Sequence, residues 1–307
     1  MAMLGSQWIR AAAAAAAAAV FVASFSPVSF AQDAEPEEDA ASKAIWDAAG
    51  AAMVHGPSAV PLNDQAQLAL PAGYGFVPQK EGAAVMDMLG NQTDERFIGL
   101  IFPESEDSSW FVTVDYEPSG YIKDDDAKDW DADELLQSLK DGTEAGNEHR
   151  REIGVSEIQV TRWVEKPAYD AQAHRLVWSA EAREKGGQDT DPVVNYNTYV
   201  LGREGYVSLN LITSASSVEG DKPAVHELLA ATSFNEGKRY GDFNSSTDKV
   251  AAYGLAALVG GIAAKKLGLL AAIGVFVVKF AKVFIIGAAA AGGAVMKFLK
   301  GRNASQA

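Results

Sequence analysis

The densest concentration of chemically capable side chains is the run Tyr121-Ile122-Lys123-Asp124-Asp125-Asp126-Ala127-Lys128-Asp129-Trp130-Asp131-Ala132-Asp133-Glu134. Carboxylates this close repel one another unless water or a shared cation screens them, so the run raises the question of a divalent metal. Asp129-x-Asp131-x-Asp133 copies the start of a calcium loop. The copy then fails, because Glu134 stands where the sharp-turn glycine belongs and Lys140 occupies the twelfth position, where a bidentate Glu is needed. The competing reading is an exposed loop whose last Asp residues cap a helix and suit its positive end. Asp124, Asp125, Asp126, Asp129, Trp130 and Asp131 are accordingly candidate ligand or partner contacts, and Asp129, Asp131 and Asp133 the weaker metal candidates.

A second set of polar and aromatic groups is Trp163 with Pro167 and Tyr169, then Trp178, then Asn195-Tyr196-Asn197 leading to Leu201-Gly202-Arg203. Trp163, Tyr196 and Arg203 could line a ligand groove; alternating Tyr, Trp and Val also suits core and cross-strand pairing. The four histidines, His55, His149, His174 and His226, show no metal-ligand pairing at helical spacing. The sequence contains neither a G-x-S-x-G elbow nor a phosphate-binding G-x-x-x-x-G-K-[ST] loop. With no cysteine, disulfides, thiolate zinc sites and cysteine nucleophiles are excluded. No cofactor is expected, and catalysis is less expected than binding.

These groups must be positioned by a chain of 307 residues with 41 acidic and 26 basic side chains, a net charge of −15. The charge is unevenly spread. Residues 32–249 carry all the acids and a net charge of −23, a poor match for nucleic acid, whose phosphates require clustered Lys and Arg. Residues 1–31 hold one charge, Arg10, then the apolar run Ala11 to Phe25 and Ser29-Phe30-Ala31, the layout of a cleaved secretory signal.

Residues 250–307 contain seven basic residues and no acid. We assign 250–296 to one or two membrane-anchoring helices and 297–307 to a basic cytoplasmic tail. Residues 267–287 form the best single span, and a hairpin with 250–264 as a short first arm is the alternative. Lys265, Lys266, Lys297, Lys300 and Arg302 flank the apolar stretches, as residues that snorkel toward lipid headgroups do. Small residues such as Ala257/Gly261 and Ala289/Gly293 permit self-association through this tail. The implied location is the inner membrane, with the main domain periplasmic. The expected partners are the lipid bilayer and an envelope protein.

Within the domain, residues 32–60 read as an acidic leader and a short helix over 43–54, and 61–245 as an α+β domain. Strands are expected at 67–70, 74–77, 97–102, 110–116, 155–164, 174–182, 193–201 and 205–213, with Lys166-Pro167 as a turn. Helices are expected at 81–89, at 133 to about 145 with Leu135, Leu136 and Leu139 inward, and at 223–232 with Pro223 in its first turn. Short connections favour an antiparallel sheet with helices packed on it. This order of elements is similar to the Mog1/PsbP-like sandwich.

Gly120-Tyr121 with KDDDAKDWDADELL, WVEKPAYD with HRLVW, VNYNTYVLGREGYVSLNL and RYGDFNSSTDKVAAYGLAALVGGIAAKKLG together resemble the bacterial, predicted membrane-anchored domain of unknown function 2167 family. The resemblance spans about Leu68 to Leu269 and implies a cell-envelope protein with a C-terminal anchor. It carries over no catalytic residue. Sequence alone therefore points to a membrane-anchored envelope module that binds or scaffolds, the alternative being a metal-dependent enzyme or ligand binder centred on residues 124–133.

Overall fold

The computed structural model describes residues 36–105, 108–152, 154, 156–187 and 191–260. The expected signal, most of the expected anchor and the flanking Lys265, Lys266, Lys297, Lys300 and Arg302 lie outside the described residues. No helix among the described residues is long and apolar enough to cross a membrane.

The chain opens with helix α1 (Pro36–Ala52), followed by strands β1 (Val54–His55), β2 (Ser58–Leu62), β3 (Ala66–Leu70) and β4 (Tyr74–Pro78) and helix α2 (Gln79–Met88). The hairpin β5 (Phe97–Pro103) and β6 (Phe111–Glu117) leads through the acidic loop into helix α3 (Ala132–Glu152). Strands β7 (Ile158–Asp170), β8 (Arg175–Glu184), β9 (Val193–Leu201) and β10 (Tyr206–Ser214) form a meander. Helix α4 (Val218–Ala230), strand β11 (Thr232–Phe234) and the short helix α5 (Ala256–Gly260) complete the described chain.

Eight strands make one sheet in the order β1-β4-β5-β6-β10-β9-β8-β7, and every pairing is antiparallel. A second, three-stranded antiparallel sheet runs β11-β3-β2. Alternation along the strands sends successive side chains to opposite faces, and this divides the core. Val207, Leu209 and Leu211 of β10 and Val194, Tyr196 and Val200 of β9 meet Leu62, Leu68, Leu70 and the Val225, Leu228 and Leu229 stripe of α4. The small sheet and α4 thus cover one face. On the other face, α1 and α2 bury Phe97, Leu100, Phe102 and Ile212, while α3 and α5 bury Leu176, Trp178, Tyr199 and Tyr206.

Four expectations change. The acidic leader is not separate, since α1 starts at Pro36 and packs Ile45, Trp46 and Ala49 into the core; Pro in the first turn followed by Glu37, Glu38 and Asp39 suits a helix start. Lys166-Pro167 lies inside β7, where register irregularities on an edge strand accommodate a residue without an N–H. Pro223 stands a turn inside α4, which starts at Val218. Helix α3 runs on to Glu152 because its inner stripe, apolar at Leu135 and Leu139, continues as the buried polar residues Thr143, Asn147 and Arg150. Asn147 acts as a strand neighbour would: its Nδ2 donates to the carbonyl of Ile158 at 2.9 Å and its Oδ1 accepts from the Ile158 N–H at 3.0 Å. This closes the start of the exposed edge strand β7.

Glu181 on β8 collects Arg183 Nε at 2.8 Å, Thr161 Oγ1 at 2.7 Å and Arg162 Nη2 at 2.8 Å. The Arg183 hydrogen bond, outweighing burial, holds its pKa down at about 2 against an ordinary 4.5. A carboxylate with a depressed folded pKa contributes stability above the unfolded value and loses it as pH falls. Acid titration of unfolding should therefore show stability lost between pH 4.5 and about 2, with a flatter profile in Glu181→Gln.

Candidate functional site

After β6 the chain bends at Gly120 (φ +92°), where any side chain would collide with the backbone of Lys249. Tyr121 then forms a parallel bridge with Val250: its N–H donates to the Lys249 carbonyl and its carbonyl accepts from the Ala251 N–H, each at 2.8 Å. Ile122 is buried beneath. The next residues coil into a 3-10 turn, Asp125–Lys128, which leaves Asp124 and Asp126 half-buried and Asp125 exposed.

Three of the acids have defined structural partners. Asp126 accepts from the N–H of Leu255 through Oδ1 at 3.1 Å and from the N–H of Ala256 through Oδ2 at 3.0 Å, capping α5. Gly254 must lack a side chain, because a Cβ there would strike the Asp126 carboxylate. Asp131 Oδ1 accepts from the N–H groups of Asp133 at 2.7 Å and Glu134 at 3.1 Å and caps α3. Asp124 Oδ2 accepts the Tyr169 hydroxyl at 2.8 Å. Asp125, Asp129 and Asp133 face solvent. No set of three or more His and carboxylate groups converges on a common point among the described residues.

Beside the loop stands a column of rings. Phe243 stacks on Tyr121 with centroids 3.8 Å apart, Tyr121 on Tyr240 at 4.4 Å, and Tyr240 on His174 at 4.2 Å. The Tyr240 hydroxyl donates to the Ile122 carbonyl at 2.8 Å. His174, at a positive φ of 51° in the β7–β8 turn, brings Nδ1 to 3.2 Å from the Tyr169 hydroxyl. Burial, reinforced by the hydrogen bond to Asp124, drives the Tyr169 pKa far above its ordinary range, and burial does the same for Tyr240. Neither supplies a phenolate near neutral pH, so both serve as fixed hydroxyl donors and packing surfaces.

Between the loop and β7 opens a cleft of about 390 Å³ walled by Asp124, Lys128, Trp130, Pro167, Tyr169 and Ala171. It combines aromatic walls, a carboxylate already oriented by Tyr169, and an exposed lysine, a composition suited to holding a ligand or a partner's side chain. A larger hollow of about 490 Å³ between α3 and β7 presents Lys140, Asp141 and Glu144 without an aromatic wall.

The other sequence candidates are dispersed. Trp163 donates its indole N–H to the Ala132 carbonyl at 2.9 Å and meets Trp178 edge-on, tying α3 to the sheet. Tyr196 lies fully buried on the opposite sheet face, its hydroxyl 3.0 Å from His226 Nε2. Arg203 grips Asp248 with Nε at 2.6 Å and Nη2 at 2.8 Å and donates to the Gly237 carbonyl at 3.1 Å. The groove expected from Trp163, Tyr196 and Arg203 is therefore not assembled: the first two are on opposite faces and the third clamps a loop. Sequence reasoning missed Tyr240, Phe243 and the 249–256 segment as parts of the site. No local motif marks them, because each meets its partner across more than a hundred residues of chain.

With this geometry established, comparison with known proteins places the chain. Residues 54–290 match the family described as Protein of unknown function (DUF2167), and the chain belongs to that family. No curated protein sequence matches it. Among solved structures it is similar to the solution structure of cyanobacterial PsbP (CyanoP) from Synechocystis sp. PCC 6803. That similarity has 9% identity and a TM-score of 0.35 over 60% of this chain and 91% of that one, too distant to support an argument.

Loss of a side-chain cap costs about 1–2 kcal/mol, roughly a tenfold change in an opening equilibrium. Limited trypsin digestion should cleave after Lys249 about tenfold faster in Asp126→Ala than in the parent chain. Equal rates would show that the Asp126 cap does not hold the segment.

Proposed function

We propose that the protein is a binding or scaffolding module of the cell envelope, tethered to the inner membrane by its C-terminal tail and presenting the described domain on the periplasmic side. The signal-like start and the acid-free basic tail support the tethering. The observation that carries the reading is the double duty of the acidic loop. Asp126 seats the segment that leads into the tail, while Asp124, Lys128 and Trp130, on the same loop, wall the aromatic cleft.

Binding without catalysis suits these groups. Asp124, Asp126 and Asp131 are engaged with hydroxyl or backbone donors, which supports a structural part for them, and the cleft tyrosine is held protonated. A protein partner recognised through Trp130 fits the tendency of aromatic residues in half-buried pockets to dominate interface energy.

A photo-crosslinking residue placed at Lys128 in cells should capture a discrete envelope protein. Trp130→Ala should cut that capture about tenfold, the loss expected for an aromatic anchor worth roughly 1.4 kcal/mol. The same adduct pattern from the remote, exposed Lys80 would count against the cleft. Carbonate washing tests the tether separately, since the full chain should stay with membranes and a chain ending at Gly260 should not.

A further inference from the structure

The cleft beside the acidic loop holds one charge that is fixed and one that is free to turn away. Ala127, Ala168, Ala171 and Pro167 bring no side-chain donor or acceptor to it, so its polar side chains are Asp124, Lys128, Trp130 and Tyr169. The Tyr169 hydroxyl gives its proton to Asp124 Oδ2 at 2.8 Å, and the indole of Trp130 can only donate. The other oxygen of Asp124, Oδ1, is hydrogen-bonded by no described residue. The cleft thus presents an anionic oxygen with only a lysine nearby to neutralise it.

Asp124 and Lys128 differ in how firmly they are held. Asp124 is half-buried and fastened by Tyr169, whose hydroxyl also meets His174 Nδ1 at 3.2 Å. Lys128 is exposed, on a flexible four-carbon stem that lets its ammonium turn out to water. The stretches that build the cleft, 121–134 and 166–171, carry eight acids and three lysines, a net charge of −5. The fixed field is accordingly negative.

These features select an occupant. An anion would be held against Asp124 with only a movable lysine to attract it. A neutral apolar group would strip water from the Asp124 oxygen without replacing its hydrogen bonds. A cation meets the carboxylate, and a flat one also meets the aromatic walls. Guanidinium is planar, weakly hydrated, stacks on aromatic rings and donates to carboxylates, whereas an ammonium is a compact, strongly hydrated point charge.

Building on the reading of this cleft as a partner-binding site, we propose that its occupant is an arginine side chain of the partner protein, stacked against Trp130 and Tyr169 and donating to Asp124 Oδ1. Lys128 is then a competing cation at the rim, displaced when the arginine enters.

The test titrates N-acetylarginine amide, its neutral isostere N-acetylcitrulline amide, and phosphocholine against the full chain in non-ionic detergent, with saturation-transfer NMR of each probe as the readout. The arginine probe should bind with a dissociation constant on the order of 1–10 mM, and the citrulline probe at least about tenfold more weakly. Asp124→Asn, which keeps an acceptor for the Tyr169 hydroxyl, should weaken the arginine probe about tenfold. Lys128→Ala should tighten it about twofold by removing the competitor. Equal binding of citrulline, an unchanged affinity in Asp124→Asn, a loss in Lys128→Ala or no binding of the arginine probe would each overturn the assignment. Tighter binding of phosphocholine would overturn it in favour of a lipid headgroup. The citrulline comparison needs no variant, so it decides even where Asp124→Asn fails to fold. Photo-crosslinking in cells reports the underlying reading separately: a Trp130-dependent adduct without arginine binding keeps the partner site and removes its arginine, and arginine binding without an adduct does the reverse.

Discussion

The carboxylate of Asp126 spans two backbone N–H groups, those of Leu255 and Ala256, and the rest of the site is arranged around that contact. For Asp126 to reach them, the loop must coil over Asp125–Lys128, Gly254 must lack a side chain, and Tyr121 must run beside Val250. For Tyr121 to hold that course, its ring needs Tyr240 on one side and Phe243 on the other. A small set of contacts, each worth about 1–2 kcal/mol, thus couples three distant parts of the chain.

The same contact explains why an acid-rich loop need not be a metal site. Its carboxylates are distributed outward to separate backbone and hydroxyl donors instead of inward to a shared point. Asp131 stabilises the start of α3, Asp126 the start of α5, and Asp124 the Tyr169 hydroxyl. What remains open to solvent is the cleft edged by Trp130 and Tyr169. A binding event there and the placement of the C-terminal tail share one structural element.

Much of this architecture is legible in the sequence, for identifiable reasons. The strands at Phe97–Pro103, Phe111–Glu117, Val193–Leu201 and Tyr206–Ser214 read clearly because they sit at the centre of the sheet, where both faces are buried and apolar residues are nearly continuous. Strand β11 does not announce itself, since three residues give alternation too little length, and β2 is masked by Pro61 within it, a residue that speaks against a strand. The second half of α3 hides because its buried face is polar, with Asn147 and Arg150 fully enclosed. The helix-capping role of Asp131 is visible from its local spacing, whereas that of Asp126 is not, because its partners lie 129 and 130 residues away.

The central claim is that residues 249–260 are a fixed part of the domain, held by the acidic loop, and not the free beginning of a tail. Native-state hydrogen exchange on the full chain measures this directly at the amides of Ala251, Leu255 and Ala256, which donate to Tyr121 and to Asp126. Protection comparable to that of the β8 and β9 amides is predicted. Exchange at the rate of an unstructured peptide at these three positions, with the sheet still protected, would contradict it.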